Sequence, residues 1–257
     1  MNRTIRRDHP NDVSADSVFL TAEWQHLAML NYEVDAGLLI PFVPAGTELE
    51  RWSDKAFISL VGFRFLKTKM FGVLPIPMHS NFEEVNLRFY VRRQAGNQAG
   101  SEVRRGVVFI REMVPRWAIA FVARTFYHEN YVALPMAHEI HAVRDNGLSV
   151  AYRWRGGKCW SGISLETKGD SEFVGDGSFE QFITEHYWGY AAQPGGGCVE
   201  YRVTHPSWRI WQVRQSAFDG DAGRFYGKDI AEVLQGKPQS AFLAEGSAVT
   251  VMRGRRL

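Results

Sequence analysis

Residues 81–93 read NFEEVNLRFYVRR and alternate in side-chain character with a period of two. One face of this stretch is apolar after Glu83 and comprises Val85, Leu87, Phe89 and Val91. The opposite face is polar and comprises Glu84, Asn86, Arg88, Tyr90 and Arg92. Because successive side chains of a strand point to opposite faces of the sheet, this pattern predicts a β-strand with one apolar and one polar face.

The surrounding sequence predicts further strands, several of which pair as hairpins. The loop signal QAGNQAGS follows the first strand, and residues 104–114 then form a second strand that pairs with it. A second hairpin is predicted from residues 131–143 and 148–155, joined at the tight-turn signal Asp-Asn-Gly. Other strands are predicted at residues 55–66, 160–167, 198–204, 209–216 and 248–252.

Helices are fewer than strands. Residues 116–127 have apolar side chains at helical spacing, and residues 179–190 follow Ser178, which is placed to cap a first turn. Residues 223–234 form a third predicted helix, and Asp35 is placed to cap a short turn. Many strands, few helices and no alternating βαβ rhythm predict a mainly β (α+β) fold. We expect a closed antiparallel β-barrel or a sandwich, with the helices outside.

The size and composition of the chain are those of one globular domain. It has 257 residues, 45% hydrophobic and 23% charged, and no internal repeat. We expect a single domain over residues 1–257, with residues 1–17 as a flexible arm. The longest apolar run, residues 117–123, is far shorter than the ~20 residues of a membrane-spanning helix, so no membrane span is expected. Two cysteines cannot form a disulfide framework, which favours a cytoplasmic location.

Charge and aromatic content bear on the class of partner. The 30 basic and 28 acidic residues nearly balance, which argues against nucleic acid or another polyanion. Basic residues gather at the two ends of the chain and are interpreted as solvated arms: Arg3, Arg6, Arg7, Arg253, Arg255 and Arg256. Aromatic residues make up 13% of the chain, and such rings either fill wide interiors or line small-molecule pockets. We expect a small-molecule ligand and leave the formation of a homo-oligomer open.

Standard motifs for catalysis and cofactor binding do not occur in the sequence, including glycine-rich nucleotide loops and the Gly-x-Ser-x-Gly elbow. The nearest approach to a metal motif is His138-Glu139-Ile140-His141. It falls in a strand pattern, where residues three apart point to opposite faces and cannot hold one ion. We therefore expect neither a metal nor a cofactor.

The polar face of residues 82–92 has two interpretations. It is either the wet face of a half-buried sheet, or it points into the interior of a barrel. In the second case Arg88 can bind an anion, and burial can tune Glu84 for proton transfer. The apolar character of the opposite face favours the barrel, because the outer face of a barrel wrapped by helices must also be apolar.

Several ordered segments of the chain resemble a known family. The first two are residues 31–35 (NYEVD) and 44–49 (PAGTEL). The others are FEEVNLR (82–88), GVVF (106–109), REMVPR (111–116), ARTFY (123–127), NY (130–131) and PM (135–136). Together these segments resemble the YqjF-like family of uncharacterised proteins, within the acetoacetate decarboxylase-like superfamily.

The resemblance implies a closed, cone-shaped antiparallel β-barrel with a central cavity. In the decarboxylase branch, a cavity lysine forms a Schiff base with a β-keto acid, and a glutamate assists. The resemblance places that glutamate at Glu84 and the position of the lysine at Tyr131 or Val132. No lysine occurs in residues 118–155. Schiff-base decarboxylation is therefore not expected.

Two hypotheses of function follow. The first is an enzyme-like barrel acting on a small carbonyl or carboxylate compound, with Glu84 as the acid/base group and Arg88 as the anion anchor. Its substrate-binding residues are predicted to be Asn86, Arg124, Tyr127 and Tyr131. The second is a non-catalytic protein that holds a hydrophobic or acidic metabolite in the same cavity. The missing lysine favours the second hypothesis, and the polar strand face keeps the first one open.

Overall fold

Strands dominate the fold. The computed structural model describes residues 17–75, 80–96, 102–115 and 130–257, and the fifteen strands in these ranges join one sheet. The prediction of a mainly β fold is therefore confirmed. The predicted helix 116–127, with Arg124 and Tyr127, lies outside the described residues, and so do residues 1–16 of the predicted arm.

The elements are numbered in chain order. The first strands are β1 (Val18–Val34), β2 (Glu48–Leu49), β3 (Ala56–Met70), β4 (Leu74–Pro75), β5 (Phe82–Gln94), β6 (Val103–Val114) and β7 (Tyr131–Ala133). The later strands are β8 (Met136–Ala142), β9 (Leu148–Gly156), β10 (Cys159–Phe173), β11 (Trp188–Ala192), β12 (Cys198–Thr204), β13 (Arg209–Asp219), β14 (Ser240–Met252) and β15 (Arg255–Arg256). The described helices are α1 (Ala36–Leu39), α2 (Phe179–Thr184), α3 (Gly223–Tyr226) and α4 (Lys228–Gln235), with a 3₁₀ turn at Ile40–Phe42. Within the described ranges, no helix has the length and apolar character needed to cross a membrane.

Seven of the strands form a ring. Neighbours pair in the order β12-β11-β6-β5-β3-β1-β14, and β12 pairs again with β14, where Val203 lies opposite Val251. From β14 the sheet continues through β13, β10 and β9 to β8. Apolar side chains of β9, β10 and α4 share one buried cluster with the outward-facing residues of β5. The ring therefore has an inner face and an outer face that a second layer covers.

Strand β5 is buried on both faces. Its outward residues Val85, Leu87 and Phe89 are fully buried in the cluster under the second layer. Its polar residues from Glu84 to Tyr90 are also buried, on the inner side of the ring. The interpretation of this face as a wet sheet surface is wrong for these residues. It holds only at Arg92, whose side chain is 55% exposed.

The strand predictions are confirmed with two corrections. The predicted β5–β6 hairpin forms with antiparallel register, and so does the β8–β9 hairpin. The sheet is not wholly antiparallel, because β6 pairs in parallel with both β7 and β11. Predicted strand 131–143 is two strands, since Pro135, which has no N–H for a ladder, separates β7 from β8.

The helix predictions need more correction. The predicted helix 179–190 ends at Thr184, because the residues from Trp188 onward pair with β12 and β6 as strand β11. The predicted helix 223–234 is divided at Gly227, whose φ of 80° is outside the helical range. The cap at Asp35 is confirmed, since its carboxylate accepts from the Gly37 N–H at 2.8 Å. The layer outside the ring consists mostly of strands rather than helices.

The interpretation of the terminal arginines as solvated arms is wrong for Arg255. Its guanidinium donates to Oε1 of Glu200 at 3.1 and 2.8 Å, and the Glu200 side chain is fully buried. Arg93 and Arg104 bind the same carboxylate at 3.1 and 2.6 Å. These contacts join β15 to the β5–β6 hairpin through β12, so Arg255 is a half-exposed residue whose charge is paired with a buried carboxylate.

Gly62 in β3 sets how closely the second layer approaches the ring. A Cβ atom at this position would lie 2.7 Å from Cδ2 of Tyr152 and 2.8 Å from Cδ1 of Ile163. Both neighbours are buried, and the Tyr152 hydroxyl also donates to the backbone oxygen of His26 at 2.8 Å. A side chain at position 62 would therefore push the two layers apart.

We predict that Gly62→Ala lowers the free energy of unfolding by about 1–3 kcal/mol, the usual effect of overpacking a core. Chemical denaturation followed by circular dichroism measures this change. Gly175→Ala is the matched control, because a Cβ atom there would meet no atom within 4 Å. Equal denaturation midpoints for the two variants would show that the layers are not tightly packed at this point.

Candidate functional site

A pocket lies inside the strand ring. Its cavity volume is about 190 Å³, and each of the seven ring strands contributes lining residues. Much of its wall is aromatic and includes Trp24, Phe63, Phe65, Phe82, Phe109 and Trp208. The rings pack on one another, with Phe65 stacked on Phe82 at a centroid distance of 4.7 Å. The pocket is therefore largely apolar, and its few polar groups stand out.

Glu84 is one of two buried carboxyl groups that line the pocket, the other being Glu112. It is 3% exposed and accepts two hydrogen bonds, from Asn86 Nδ2 to Oε1 at 3.0 Å and from the Tyr131 hydroxyl to Oε2 at 3.1 Å. Burial disfavours the charged form and raises the pKa of Glu84 to about 7, although both donors and the charge of Arg88 act in the opposite direction. The carboxyl group therefore exchanges its proton near neutral pH.

Arg88 is the cation on the same wall. It is 9% exposed, and its Nη2 donates to the backbone oxygen of Ile183 in α2 at 3.2 Å. Its Nε is buried and has no hydrogen-bond partner among the described residues. Arg88 lies four residues from Glu84 on one strand, so their Cα atoms are separated by about 13 Å at the usual strand rise. Each group therefore has partners other than the opposite charge: Glu84 has Asn86 and Tyr131, and Arg88 has the Ile183 backbone and the Tyr90 ring at 5.9 Å.

The structure describes four of the six predicted site residues. Glu84, Asn86, Arg88 and Tyr131 line the one pocket. Tyr131 is the first residue of β7 and is paired with Glu112 of β6. Arg124 and Tyr127 lie outside the described residues, so their assignment stays a prediction.

Sequence reasoning missed a second buried pair at the pocket. His186, between α2 and β11, lies with Nε2 2.8 Å from Oε2 of Glu50, and the Nε of Arg105 donates to Oε1 of Glu50 at 2.6 Å. Burial lowers the pKa of His186 to about 4, against the opposing effect of Glu50. Burial alone would raise the pKa of Glu50, but hydrogen bonds from His186 and Arg105 and the charge of Arg105 outweigh it and hold that pKa below its ordinary value. At neutral pH the pair is thus a neutral imidazole on a carboxylate.

The pocket has no lysine. All seven lysines of the chain fall within the described ranges, all are exposed, and none lines the pocket: Lys55, Lys67, Lys69, Lys158, Lys168, Lys228 and Lys237. Tyr131, one of the two positions at which the family resemblance places the Schiff-base lysine, donates to Glu84. In the described part of the chain, no cluster of three or more His, Cys, Asp or Glu residues could hold a metal ion.

Several solved structures share this fold. Acetoacetate decarboxylase from Legionella pneumophila superposes with a TM-score of 0.64 at 12% identity, covering 98% of this chain and 92% of the other. The enduracididine biosynthesis enzyme MppR complexed with pyruvate superposes with a TM-score of 0.61 at 11% identity, covering 96% and 93%. At such low identity the likeness shows the fold alone, which is acetoacetate decarboxylase-like.

Sequence relatives show the family. Uncharacterized protein YqjF from Bacillus subtilis (strain 168) is 26% identical over 137 residues, which are 53% of this chain and 53% of YqjF. The match thus spans about half the length of that curated relative, and it confirms the YqjF-like resemblance. Residues 21–248 match the family DUF2071, described as an uncharacterized conserved protein. The chain belongs to the DUF2071 family.

Proposed function

We propose that the strand ring acts as the predicted barrel and that its pocket binds a small carboxylate or carbonyl compound. The observation that carries this proposal is the buried Arg88 guanidinium, whose Nε has no partner in the described part of the chain. A charge removed from water is stable only when it is paired, so an anionic ligand suits this position. The cavity volume of about 190 Å³ is below the roughly 300–1,000 Å³ of drug-sized pockets, which favours a small metabolite.

Glu84 would supply acid/base chemistry at this site. A general acid or base works best when its pKa lies near the working pH, and the pKa of about 7 meets that condition. Asn86 and Tyr131 hold both oxygens of the carboxyl group, which fixes its direction. A carbonyl compound anchored by Arg88 would then exchange a proton with Glu84 without a covalent intermediate. Arg124 and Tyr127 stay candidate binding residues.

A second candidate function is binding without turnover. The exposure of all seven lysines favours it, because the Schiff-base step of the decarboxylase branch has no nucleophile in the pocket. The pyruvate complex of MppR supports the idea that a protein of this fold can hold a small acid. Fold kinship alone does not transmit an activity, so the same pocket suits both functions.

Substitutions along β5 test the proposed site. We predict that Glu84→Ala and Arg88→Ala each weaken the binding of 2-oxo-2-phenylacetate at least about 10-fold, since each removes a buried hydrogen-bonding or charged group. Arg92→Ala is the matched control on the same strand, because its side chain is exposed and pairs only with exposed Glu48 among the described residues. Isothermal titration calorimetry measures the affinities. Equal affinities of the three variants would contradict the assignment of Glu84 and Arg88 to the binding site.

The pKa of Glu84 predicts a pH dependence of stability. A carboxyl group whose pKa is raised by folding binds its proton more tightly in the native state, so stability falls as pH rises from the ordinary value towards about 7. The free energy of unfolding of the wild type should fall by up to roughly 3 kcal/mol more than that of Glu84→Gln between pH 4 and pH 8. Urea denaturation across this pH range measures the difference. Glu245→Gln, at an exposed position, should keep the wild-type profile.

Because the lysines are exposed and lie outside the pocket, we predict that borohydride will trap no imine between a lysine and a keto acid. Sodium borohydride added with acetoacetate should produce no stoichiometric adduct, because no lysine reaches the pocket to form an imine there. Intact-protein mass spectrometry followed by peptide mapping provides the readout. A one-to-one mass increase on a single lysine peptide would contradict the placement of the lysines and restore Schiff-base chemistry.

A further inference from the structure

His186 is held in one orientation on the pocket wall. Its side chain is almost fully buried, and its ring lies 4.7 Å from the Tyr90 ring and 5.3 Å from the Phe182 ring, measured between centroids. The hydrogen bond from Nε2 to Glu50 fixes the remaining rotation of the ring. The other nitrogen, Nδ1, therefore has a defined position.

The pairing of Glu50 decides which nitrogen of His186 carries the hydrogen. Arg105 donates to one oxygen of Glu50 and His186 lies against the other, so Glu50 is a carboxylate that only accepts. The Nε2 atom must then be the donor. A buried neutral imidazole has one N–H, which leaves Nδ1 as a bare acceptor.

This acceptor is unsatisfied. Nδ1 of His186 is buried and has no hydrogen-bond partner within the described ranges, although His186 lines the pocket. Arg88 lines the same pocket with a buried donor, Nε, that is equally unpaired there. Two residues of the pocket wall therefore carry a charged donor and a neutral acceptor that the described residues do not use. Buried polar groups are normally paired, so a ligand with complementary groups would satisfy both.

We infer that the ligand of this pocket is a small hydroxy acid, whose carboxylate accepts from Arg88 and whose hydroxyl donates to Nδ1 of His186. The inference rests on the proposed function and narrows its ligand class. An oxo acid supplies the carboxylate but has no hydrogen for Nδ1. Glu50 and Arg105 act as positioning residues, because they touch His186 or Glu50 rather than the ligand.

Three probes that share a phenyl ring and a carboxylate test the inference by titration calorimetry: 2-hydroxy-2-phenylacetate, 2-oxo-2-phenylacetate and phenylacetate. The aromatic wall of the pocket suits the common phenyl ring. One enantiomer of the hydroxy acid should bind at least about 10-fold more tightly than the other two probes, because only it pairs the acceptor nitrogen. Equal affinities for all three would overturn the inference and leave the proposed function standing. No binding of any probe would overturn both.

Glu50→Gln changes the acceptor while keeping the shape of the side chain. An amide can donate to Nε2, which allows the hydrogen of His186 to move to Nδ1. The preference for the hydroxy acid over the oxo acid should then fall to about 1-fold or reverse, with 2-oxo-2-phenylacetate still bound. His141→Gln, at an exposed position of β8, is the control and should keep the wild-type preference. A retained preference in Glu50→Gln would overturn the inference.

Nuclear magnetic resonance of the unliganded wild type provides a test that needs no variant. Two-bond ¹H–¹⁵N correlation of His186 should show hydrogen on Nε2 and none on Nδ1 at neutral pH. Hydrogen on Nδ1, or on both nitrogens, would contradict the acceptor role even if carboxylates bind.

Discussion

The burial of strand β5 on both faces is the constraint on which the rest of the structure depends. Its outward residues Val85, Leu87 and Phe89 lie under the second layer, so that face is closed to solvent by apolar packing. Its inward residues cannot reach bulk water either, and each must find a polar partner inside the ring. Glu84 accepts from Asn86 and Tyr131, whereas Arg88 donates to the backbone oxygen of Ile183 and lies 5.9 Å from the centroid of the Tyr90 ring. The unpaired polar atoms on the wall of this largely apolar pocket follow from that burial.

Local pattern predicted much of the ring but could not predict its closure. The period of two along residues 81–93 placed β5 and named the residues that point inward, and turn signals placed two hairpins correctly. The same period fits a wet sheet face, so the sequence left both interpretations open. What decides between them is long-range: the pairing of β12 with β14 and the packing of β9 and β10 over β5. The predicted end of helix 179–190 was wrong for a related reason. The helical pattern continues past Thr184, but the residues from Trp188 onward pair with other strands as β11.

The site residues that lie on one strand could be predicted from the sequence. Those brought together from distant segments of the chain could not. Glu84, Asn86 and Arg88 are neighbours in sequence, and alternation alone groups them. His186 and Glu50 are 136 residues apart, and no local motif links them. The pocket is lined by carboxyl, amide, guanidinium, phenol and imidazole groups and by no lysine. A shared fold does not by itself transmit an activity.

The most direct test of the central claim is a crystal structure of the protein grown with 2-oxo-2-phenylacetate at saturating concentration. We expect the carboxylate inside the ring, within hydrogen-bond distance of the Arg88 guanidinium, and the phenyl ring against the aromatic wall near Phe65 and Phe82. A carboxylate bound only on the outer surface, or a pocket filled by water alone with Arg88 turned away from it, would contradict the claim.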